Sequence, residues 1–377
     1  MKVYLDNAAT TPVHPLVVEA MMPVLANQFG NPSSIHGYGR EVRSLIEKAR
    51  KTVAQLLNCA PSEIFFTSGG TEANNTAIRC TITDHDVKHA ITSKIEHHAV
   101  THTLEDMEKR GLIKLSYVKI DDKGRVDMVD FERLLKENGK TFVSLMHANN
   151  EIGTTTNMHT VGDWVRKYDG IYHCDTVQTM GHFKHDLKNT PVDFVSCAAH
   201  KFHGPKGVGF MYINSRLKIH PFITGGAQER NMRGGTENVY GIIGLAKALE
   251  LSYQTMQDDK DYITGLKNYM IGKLNDNIPG VKYNGDVGEE SLYTVLNVSF
   301  PPTDIAEMLL FNLDIAGIAA SGGSACSSGS EVGSHVLTGI GSSPDRPAVR
   351  FSFSKFNKKD EIDFVIEKLK ELFAVKV

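Results

Sequence analysis

The sequence predicts an α/β fold in which helices cover a mainly parallel sheet, followed by a smaller α+β domain. Apolar, β-prone runs recur along residues 64–213, and amphipathic helical patterns separate many of them. This alternation is typical of parallel strands that are joined by helices. The chain has 377 residues, which exceeds one ordinary domain, and a second α+β pattern begins after about residue 255.

Seven short runs form the predicted strands of the large sheet. They cover residues 64–67, 89–92, 115–118, 142–146, 171–174, 192–196 and 208–213. Before them, apolar residues recur three and four positions apart between Val42 and Leu57, which predicts an amphipathic helix. Similar helical patterns over residues 128–135 and 161–168 separate later strands.

A long helical pattern from about residue 240 leads out of the large domain. The pattern of a small α+β domain then follows at residues 295–300, 305–310, 349–353 and 358–373, the last a closing helix. We therefore predict a large domain of residues 14–255 and a small domain made of residues 1–13 and 256–377. The small domain includes a loop rich in Gly and Ser at residues 320–333.

Composition and charge exclude several classes of protein. A net charge of −3 and an isoelectric point near 6.6 give no basic surface for nucleic acid or an anionic membrane. No apolar run approaches membrane-spanning length, and the N-terminus lacks the pattern of a signal peptide. The cysteines, at positions 59, 80, 174, 197 and 326, form neither a disulfide framework nor a zinc pattern. We expect a cytoplasmic enzyme with free thiols and no intrinsic metal.

Asp175 and Lys201 are the most informative residues. Each follows a predicted strand, and in a parallel sheet ligands bind at the carboxyl ends of the strands. A carboxylate and a lysine that face one crevice suit pyridoxal phosphate: the lysine forms an imine with the cofactor, and the acid keeps its pyridine nitrogen protonated. Taken alone, Asp175 is equally a turn residue and Lys201 a solvated charge.

The turn at residues 67–72, Thr-Ser-Gly-Gly-Thr-Glu, follows a strand and opens a helix. Its glycines and free helix-start amides suit a phosphate, but ordinary strand-to-helix turns look the same. His97 follows the strand at 89–92, where an imidazole can stack on a planar cofactor and move protons. Gln178 and His200 carry polar groups that could donate to phosphate. Each of these residues has an ordinary structural explanation when it is considered separately.

Nine ordered segments together resemble the class V aminotransferases, and among them the cysteine desulfurases of the nitrogen-fixation and iron–sulfur-assembly (NifS/IscS) type. The segments are YLDNAATTP (4–12), GNPSS (30–34), TSGGTE (67–72), NNEIG (149–153), HCDTVQ (173–178), HK with GPKG (200–201 and 204–207), RGGT (233–236), SAC (324–326) and VRFS (349–352). The resemblance implies a fold-type-I pyridoxal-phosphate transferase that forms a homodimer with its active sites at the subunit interface.

The resemblance also implies a role for each matching residue. Lys201 would be the Schiff-base lysine, Asp175 would pair with the ring nitrogen, and His97 would stack on the ring. The phosphate would be held by Gly70, Thr71, Gln178, His200 and, from the other subunit, Thr236. Asn150 would lie near the ring hydroxyl and also contact the substrate. Asn7 and Arg350 would bind the substrate carboxylate, which a planar guanidinium matches with two hydrogen bonds.

Two features depart from the family pattern. Family members usually carry a phosphate-binding serine three residues before the lysine, and this chain has Ala198. The chain also ends soon after its last predicted helix, without the longer tail that some members use to dock a scaffold protein.

Cys326 lies among Gly and Ser residues, which do not pack a core and suit a loop. Composition alone leaves a nucleophile and an incidental thiol equally open. The resemblance favours the nucleophile: L-cysteine would become L-alanine, with Lys201 and His97 moving the α-proton, and its sulfur would remain as a persulfide on Cys326. The acceptor would be a protein such as an iron–sulfur scaffold, with which Cys326 could share a cluster transiently, or a carrier for tRNA thiolation.

Two other functions fit the same residues. The first is an aminotransferase of class V that uses Lys201 on another amino acid without sulfur transfer. The second, of a different class, is a catalytically idle pyridoxal-phosphate fold that serves as a scaffold or regulator. Replacement of Cys326 distinguishes the aminotransferase from a desulfurase, because only the desulfurase needs this thiol. The yellow absorbance of a bound cofactor distinguishes an enzyme from the idle scaffold.

Overall fold

A computed structural model describes residues 1–322 and 333–374 of the chain. Its largest sheet has seven strands in the order β2-β8-β7-β6-β5-β3-β4, and only β8 runs antiparallel to the rest. The strands are β2 (Ile64–Thr67), β3 (His89–Thr92), β4 (Lys114–Tyr117), β5 (Thr141–Ser144), β6 (Ile171–Asp175), β7 (Phe194–Ala198) and β8 (Gly209–Ile213). The predicted α/β class and mainly parallel sheet are confirmed.

Helices cover both faces of this sheet, and two apolar clusters fill the space between the layers. The helices are α1 (Pro15–Asn27), α2 (Gly37–Leu56), α3 (Gly70–Asp84), α4 (His98–Lys109), α5 (Met128–Asn138), α6 (Met158–Lys167), the irregular turn α7 (Gln228–Asn231) and α8 (Val239–Asn277). The strong amphipathic pattern of α2 buries Val42, Ile46 and Val53 and exposes most of its charged residues, although Arg50 is buried. Burial of such a stripe, rather than intrinsic propensity, holds a surface helix in place.

A second set of elements surrounds a separate apolar cluster. It contains β1 (Val3–Tyr4), β9 (Lys282–Asn284), β10 (Val295–Ser299), α9 (Leu309–Ile315), β11 (Ile318–Ala319), β12 (Ala348–Ser352) and α11 (Lys359–Ala374). The short helix α10 (His335–Gly339) packs instead against Ile95 and Ile152 through Val336. The N-terminal β1 pairs with β11, in register from Val3 with Ile318. Because α8 runs without interruption through residue 255, the exact division into two domains stays a prediction.

The sheet order places a topological switch point between β3 and β5. From β3 the chain moves outward to β4, then returns to the other side of β3 and continues through β5, β6 and β7. Ligands of open α/β sheets bind beyond the carboxyl ends of the strands at such a point. The strands β2, β3, β5, β6 and β7 all run the same way, so the residues that follow them meet at one edge.

Two features are absent from the described part of the chain. No helix within residues 1–322 and 333–374 has the length and apolar character needed to cross a membrane. Over the same residues, no group of three or more His, Cys, Asp or Glu side chains is arranged to hold a metal ion.

Candidate active site

A cavity of about 250 Å³ opens at the edge where these strands end. The residues predicted from the sequence that line it are Gly70, Thr71, His97, Asn150, Asp175, Gln178, His200, Lys201 and Arg350. They come from the ends of five strands of the large sheet and from β12 of the smaller one. Two predicted residues, Asn7 and Thr236, do not line it, and Cys326 lies outside the described residues.

Asp175 is the last residue of β6 and is buried, with 6% of its surface exposed. Its Oδ1 accepts a hydrogen bond from the Val177 amide at 2.9 Å, and its Oδ2 accepts one from Asn74 Nδ2 at 2.6 Å. Two donors to one carboxylate fix its direction. The site therefore contains an oriented, buried carboxylate.

Sequence reasoning missed Asn74. It lies on the inner face of α3, only 1% exposed, between the buried apolar residues Ala73 and Ala77. A buried amide among apolar neighbours requires a polar partner, so a single Asn in the apolar face of this helix was a usable signal. The structure supplies the partner as Asp175.

Lys201 ends a short 3-10 helix, Ala199–Lys201, that directly follows β7. Its Nζ donates hydrogen bonds to the carbonyls of Ala8 at 2.7 Å and Ala9 at 2.8 Å. Its own carbonyl lies 3.2 Å from Nε2 of His182, a hydrogen bond in which the imidazole donates. Hydrogen bonds to its side-chain amine and to its backbone carbonyl therefore hold Lys201 in the cavity wall.

His97 caps the N-terminus of α4, where its Nδ1 accepts a hydrogen bond from the Ala99 amide at 3.1 Å. Burial lowers the pKa of its imidazole; Asp175 opposes this effect and the Lys201 cation adds to it. The ring is therefore neutral near pH 7. Because Nδ1 is used as an acceptor, the neutral ring carries its proton on Nε2 and presents a hydrogen bond donor.

The start of α3 forms the wall opposite these residues. The first amides of a helix have no carbonyl partner within it and attract anions. A methyl group placed on Gly70 would come within 2.6 Å of Val177 Cγ2, so only glycine allows the helix this close to the strand-end loop. Glu72 supports the turn by accepting from the Ser68 amide at 2.9 Å and from Arg233 Nε at 3.0 Å.

Gln178 and His200 both contact the N-terminal segment in this structure. Gln178 Nε2 donates to the Ala8 carbonyl at 3.0 Å, and His200 Nδ1 lies 3.2 Å from Thr10 Oγ1. Burial, with the nearby Lys201 cation, lowers the pKa of His200 to about 4, so its ring is neutral and can act as a donor. Ala198 is buried in the same wall and presents a methyl group where the family pattern has a hydroxyl.

Arg350 lies on β12 and is only 1% exposed. Its Nη2 pairs with Asp6 Oδ1 at 2.8 Å, and its Nη1 donates to the Asn150 carbonyl at 3.0 Å. Among the described residues, its Nε has no hydrogen bond partner. The guanidinium is held from two sides and still has donors to offer a ligand.

The two predicted residues that do not line the cavity have other surroundings. The Asn7 amide nitrogen donates to the Ser352 carbonyl at 2.9 Å and to Asn357 Oδ1 at 3.2 Å. Thr236 lies with Arg233 in a separate cavity of about 110 Å³. Within one chain, neither side chain belongs to the lining of the main cavity.

The four cysteines of the described part are poor nucleophiles. Burial raises the pKa of Cys59 and of Cys80 to about 12. The thiols of Cys174 and Cys197 are completely buried, and this raises their pKa well above its usual value. The thiolate is the reactive form, so none of these four suits sulfur transfer.

Comparison with known proteins decides the family. The sequence profile of the family described as aminotransferase class-V matches residues 3–365. The chain belongs to this family. It is 42% identical over 375 residues to "Cysteine desulfurase IscS" of Dictyoglomus turgidum (98% of this chain, 94% of the relative). It is also 42% identical over 366 residues to "Putative cysteine desulfurase IscS 1" of Bacillus subtilis (96% of each chain). These full-length similarities place it on the cysteine desulfurase branch of the family.

Solved structures agree with this assignment. A "NifS-like protein" superposes with a TM-score of 0.92 at 36% identity, with both chains covered completely. A structure titled "SspA in complex with cysteine" gives a TM-score of 0.83 at 31% identity, covering 95% of this chain and all of the other. The fold-type-I architecture predicted from the sequence is thereby confirmed.

The family depends on pyridoxal phosphate, and the residues of the cavity fit this cofactor. Asp175 is a fixed carboxylate at the end of β6, and Lys201 presents its amine to the same cavity. The start of α3 offers amides for a phosphate, and the Gly70 position has no room for a side chain. An acid, an amine and an anion cradle in one cavity are the set that the cofactor requires.

Proposed function

We propose that the chain is a cysteine desulfurase that converts L-cysteine to L-alanine and leaves the sulfur as a persulfide on Cys326. The observation that carries the proposal is the convergence of Asp175, Lys201 and Arg350 on one cavity. Relatives at about 42% identity over nearly the whole chain carry the name cysteine desulfurase, and one structural neighbour is titled as a complex with cysteine.

Pyridoxal phosphate is the cofactor of this proposal. Lys201 would attach it covalently and Asp175 would pair with its ring nitrogen. Gly70, Thr71, Gln178 and His200 would hold its phosphate, and Asn150 would lie beside its ring. When bound, the cofactor supplies an electron-withdrawing ring that acidifies the α-carbon of an amino acid. Because Ala198 lacks a hydroxyl, either the phosphate has one hydrogen bond fewer or a water molecule or neighbouring donor supplies it.

The side chains of the cavity would bind the substrate and move its proton. Arg350 binds the carboxylate through the donors that Asp6 and Asn150 leave unused. Lys201 Nζ takes the proton from Cα and later returns a proton at the product stage. His97 offers its Nε2 proton, because its Nδ1 already accepts from the Ala99 amide. Asn7 reaches the carboxylate only if its amide leaves Ser352 and Asn357.

Cys326 would complete the reaction. Its thiolate attacks the sulfur of L-cysteine, so an S–S bond forms and the Cβ–S bond of the substrate breaks. The electron pair of that bond remains on the three-carbon fragment, which gains a proton at Cβ and leaves as L-alanine. The sum, L-cysteine plus thiol giving L-alanine plus persulfide, needs no external oxidant. The assignment to Cys326 rests on its sequence context and on the high pKa of the described thiols.

We propose a homodimer in which Thr236 completes the phosphate site of the partner. Exposed apolar side chains on and after α1 offer a contact surface: Leu16, Met22, Leu25, Phe29 and Ile35. The position of Thr236 outside the cavity of its own chain also supports this arrangement. The persulfide would pass to a sulfur acceptor such as an iron–sulfur scaffold, and the cytoplasm is the proposed compartment.

Mixed dimers test the shared site. Lys201→Ala and Thr236→Ala are expected to be inactive or impaired when each is alone. In a mixed dimer, the Thr236→Ala subunit keeps Lys201 and receives an intact Thr236 from its partner. Mixing should therefore restore one functional site per dimer. Failure of complementation while mixed dimers form would contradict the shared site.

The reaction itself is tested with the cofactor-loaded protein. Addition of L-cysteine should yield alanine and, with a reductant, an equal amount of sulfide. Cys326→Ser should abolish persulfide and sulfide while the absorbance of the bound cofactor remains. Cys59→Ser, which replaces a partly buried thiol of raised pKa, is the matched control and should behave as the wild type.

Two other outcomes of these experiments would support the alternative functions. Transamination that persists in Cys326→Ser without sulfide release in either protein would indicate an aminotransferase. A purified protein that binds no pyridoxal phosphate and forms no alanine would indicate an idle scaffold.

A further inference from the structure

Asp6 belongs to the N-terminal motif, and backbone pairing fixes its position between two strands. The Leu5 amide donates to the Ala319 carbonyl at 2.9 Å, and the Ser352 amide donates to the Leu5 carbonyl at 2.7 Å. Asp6 itself forms a parallel bridge with Ser352. The carboxylate of Asp6 therefore leaves the backbone at a defined point beside β12.

One oxygen of Asp6 joins two side chains. Its Oδ1 accepts from Arg350 Nη2 at 2.8 Å and from Ser321 Oγ at 2.9 Å. The backbones of these two residues are also paired: the Arg350 amide donates to the Ser321 carbonyl at 2.6 Å, and the Ser321 amide donates to the Arg350 carbonyl at 3.3 Å. Asp6, Ser321 and Arg350 form a closed ring of hydrogen bonds across three adjacent segments.

This ring explains how a buried cation can face the cavity. A guanidinium removed from water requires an opposite charge and hydrogen bond acceptors. Among the acidic residues that the structure describes, Asp6 is the one in ion-pair contact with Arg350. A guanidinium has five N–H donors; Asp6 takes one and the Asn150 carbonyl another, which leaves the others for a ligand.

We propose that Asp6 is a positioning residue that orients Arg350 for the substrate carboxylate, and that Ser321 in turn orients Asp6. The inference rests on the proposed function, because it takes the carboxylate to be that of L-cysteine or L-alanine. Asp6 acts through Arg350 and not on the reacting atoms. Its effect should therefore appear with ligands that carry a carboxylate and be absent with ligands that lack one.

Two substitutions of Asp6 distinguish a role in orienting Arg350 from a role as a negative charge alone. Both hydrogen bonds of the Asp6 side chain end on Oδ1, so Asp6→Asn keeps the acceptor atom and removes the charge. Asp6→Ala removes both. An orienting role predicts a large effect for Asp6→Ala and a small one for Asp6→Asn. A role limited to charge predicts equal effects, or tighter carboxylate binding in both variants because Arg350 loses its counter-ion.

The test measures equilibrium binding to the cofactor-loaded enzyme. L-Alanine and L-alaninamide, which lacks the carboxylate, are titrated while the cofactor absorbance is followed. Loss of a charge-assisted hydrogen bond that orients Arg350 should raise the dissociation constant of L-alanine about 10- to 100-fold in Asp6→Ala. The dissociation constant of L-alaninamide should stay within about threefold of the wild-type value in both variants. The dissociation constant of L-alanine in Asp6→Asn should also stay within about threefold of the wild-type value. In steady state, Asp6→Ala should raise KM for L-cysteine more than it lowers kcat.

The matched control removes a carboxylate elsewhere in the protein that also pairs with an arginine. Asp193 holds Arg216 with two hydrogen bonds and does not line the cavity. Asp193→Ala should lower the thermal midpoint and leave both dissociation constants unchanged. If Asp6→Ala does not load cofactor, Ser321→Ala replaces it, because it removes only the second bond to Oδ1; it should weaken L-alanine binding about threefold.

Equal changes for L-alanine and L-alaninamide in Asp6→Ala, or no change for either, would overturn the proposal. An unchanged L-alanine constant in Ser321→Ala would overturn the part that concerns Ser321. Because binding at equilibrium requires no sulfur transfer, failure of the proposed function is distinguishable. A wild-type protein that binds L-alanine but releases no sulfur from L-cysteine would contradict the function and leave the role of Asp6 standing.

Discussion

The hydrogen bond from Asn74 to Asp175 gives the sharpest prediction for cofactor binding. Both groups are buried, the acceptor is a carboxylate, and the atoms are 2.6 Å apart. Hydrogen bonds to charged groups are worth about 1.5–3 kcal/mol. Asn74→Ala removes this donor and leaves the Val177 amide as the other donor to the carboxylate. We expect the affinity for pyridoxal phosphate to fall roughly 10- to 150-fold.

The loss has a specific physical cause that an assay can follow. Without Asn74, the Asp175 carboxylate loses one of the two hydrogen bonds that orient it, so it should pair less well with the cofactor nitrogen. Apoenzyme is titrated with pyridoxal phosphate, and the absorbance of the bound form is recorded from pH 6 to 9. Asn74→Ala should show weaker binding and an altered pH dependence of that absorbance.

A buried amide elsewhere supplies the control. Asn297 on β10 is fully buried and bonds to the Glu151 carbonyl and to Asn284, but it does not line the cavity. Asn297→Ala should lower the stability of the apoenzyme without a comparable loss of cofactor affinity. Unchanged affinity and unchanged absorbance in Asn74→Ala would refute the reasoning, as would equal losses in both variants.

Three further predictions concern folding and packing. His173 is buried and its pKa is lowered to about 4 by burial, so only the unfolded state gains a proton as the pH falls below about 6.5. The free energy of unfolding of the apoenzyme should therefore fall as the pH is lowered from about 6.5 to about 4. His173→Gln should reduce this pH dependence by up to about 1.4 kcal/mol per pH unit, measured by urea unfolding. Gly70→Ala should weaken cofactor binding about tenfold or more in spectral titrations, because the new methyl group would clash with Val177 at 2.6 Å. Glu229→Gln should cost about 3–5 kcal/mol in urea unfolding, because Arg50 would lose its buried counter-ion; a loss below about 1 kcal/mol would contradict this.

Strands were predictable because burial on both faces leaves a continuous apolar run. The runs at 64–67 and 89–92 match β2 and β3, and the closing helix predicted at 358–373 is α11, Lys359–Ala374. The run at 192–196 matches its strand less well. The strand is Phe194–Ala198, and just before it the Asp193 carboxylate binds Arg216 and the Tyr172 amide. Pairings between distant side chains of this kind leave no local pattern.

Some residues of the active site could be predicted from the sequence and others could not. Asp175 and Lys201 could be predicted because each stands at the end of a strand, and strand order brings those ends together. Asp6 could not be assigned, because its partner Arg350 lies 344 residues away and only the pairing of β12 with the N-terminal segment brings them together. The Nε2 proton of His97 likewise depends on the cap of α4, which sequence alone does not orient.

The contacts of residues 8–10 have a consequence for synthesis on the ribosome. The carbonyls that hold Lys201 and Gln178 belong to Ala8 and Ala9, which are synthesised before the large sheet. The strand that anchors this segment, Ala348–Ser352, is synthesised after all seven strands of that sheet. A nascent chain can therefore build the large sheet and still lack one wall of its cavity. The wall that Ala8 and Ala9 supply can be fixed in place only after residue 352 has been added.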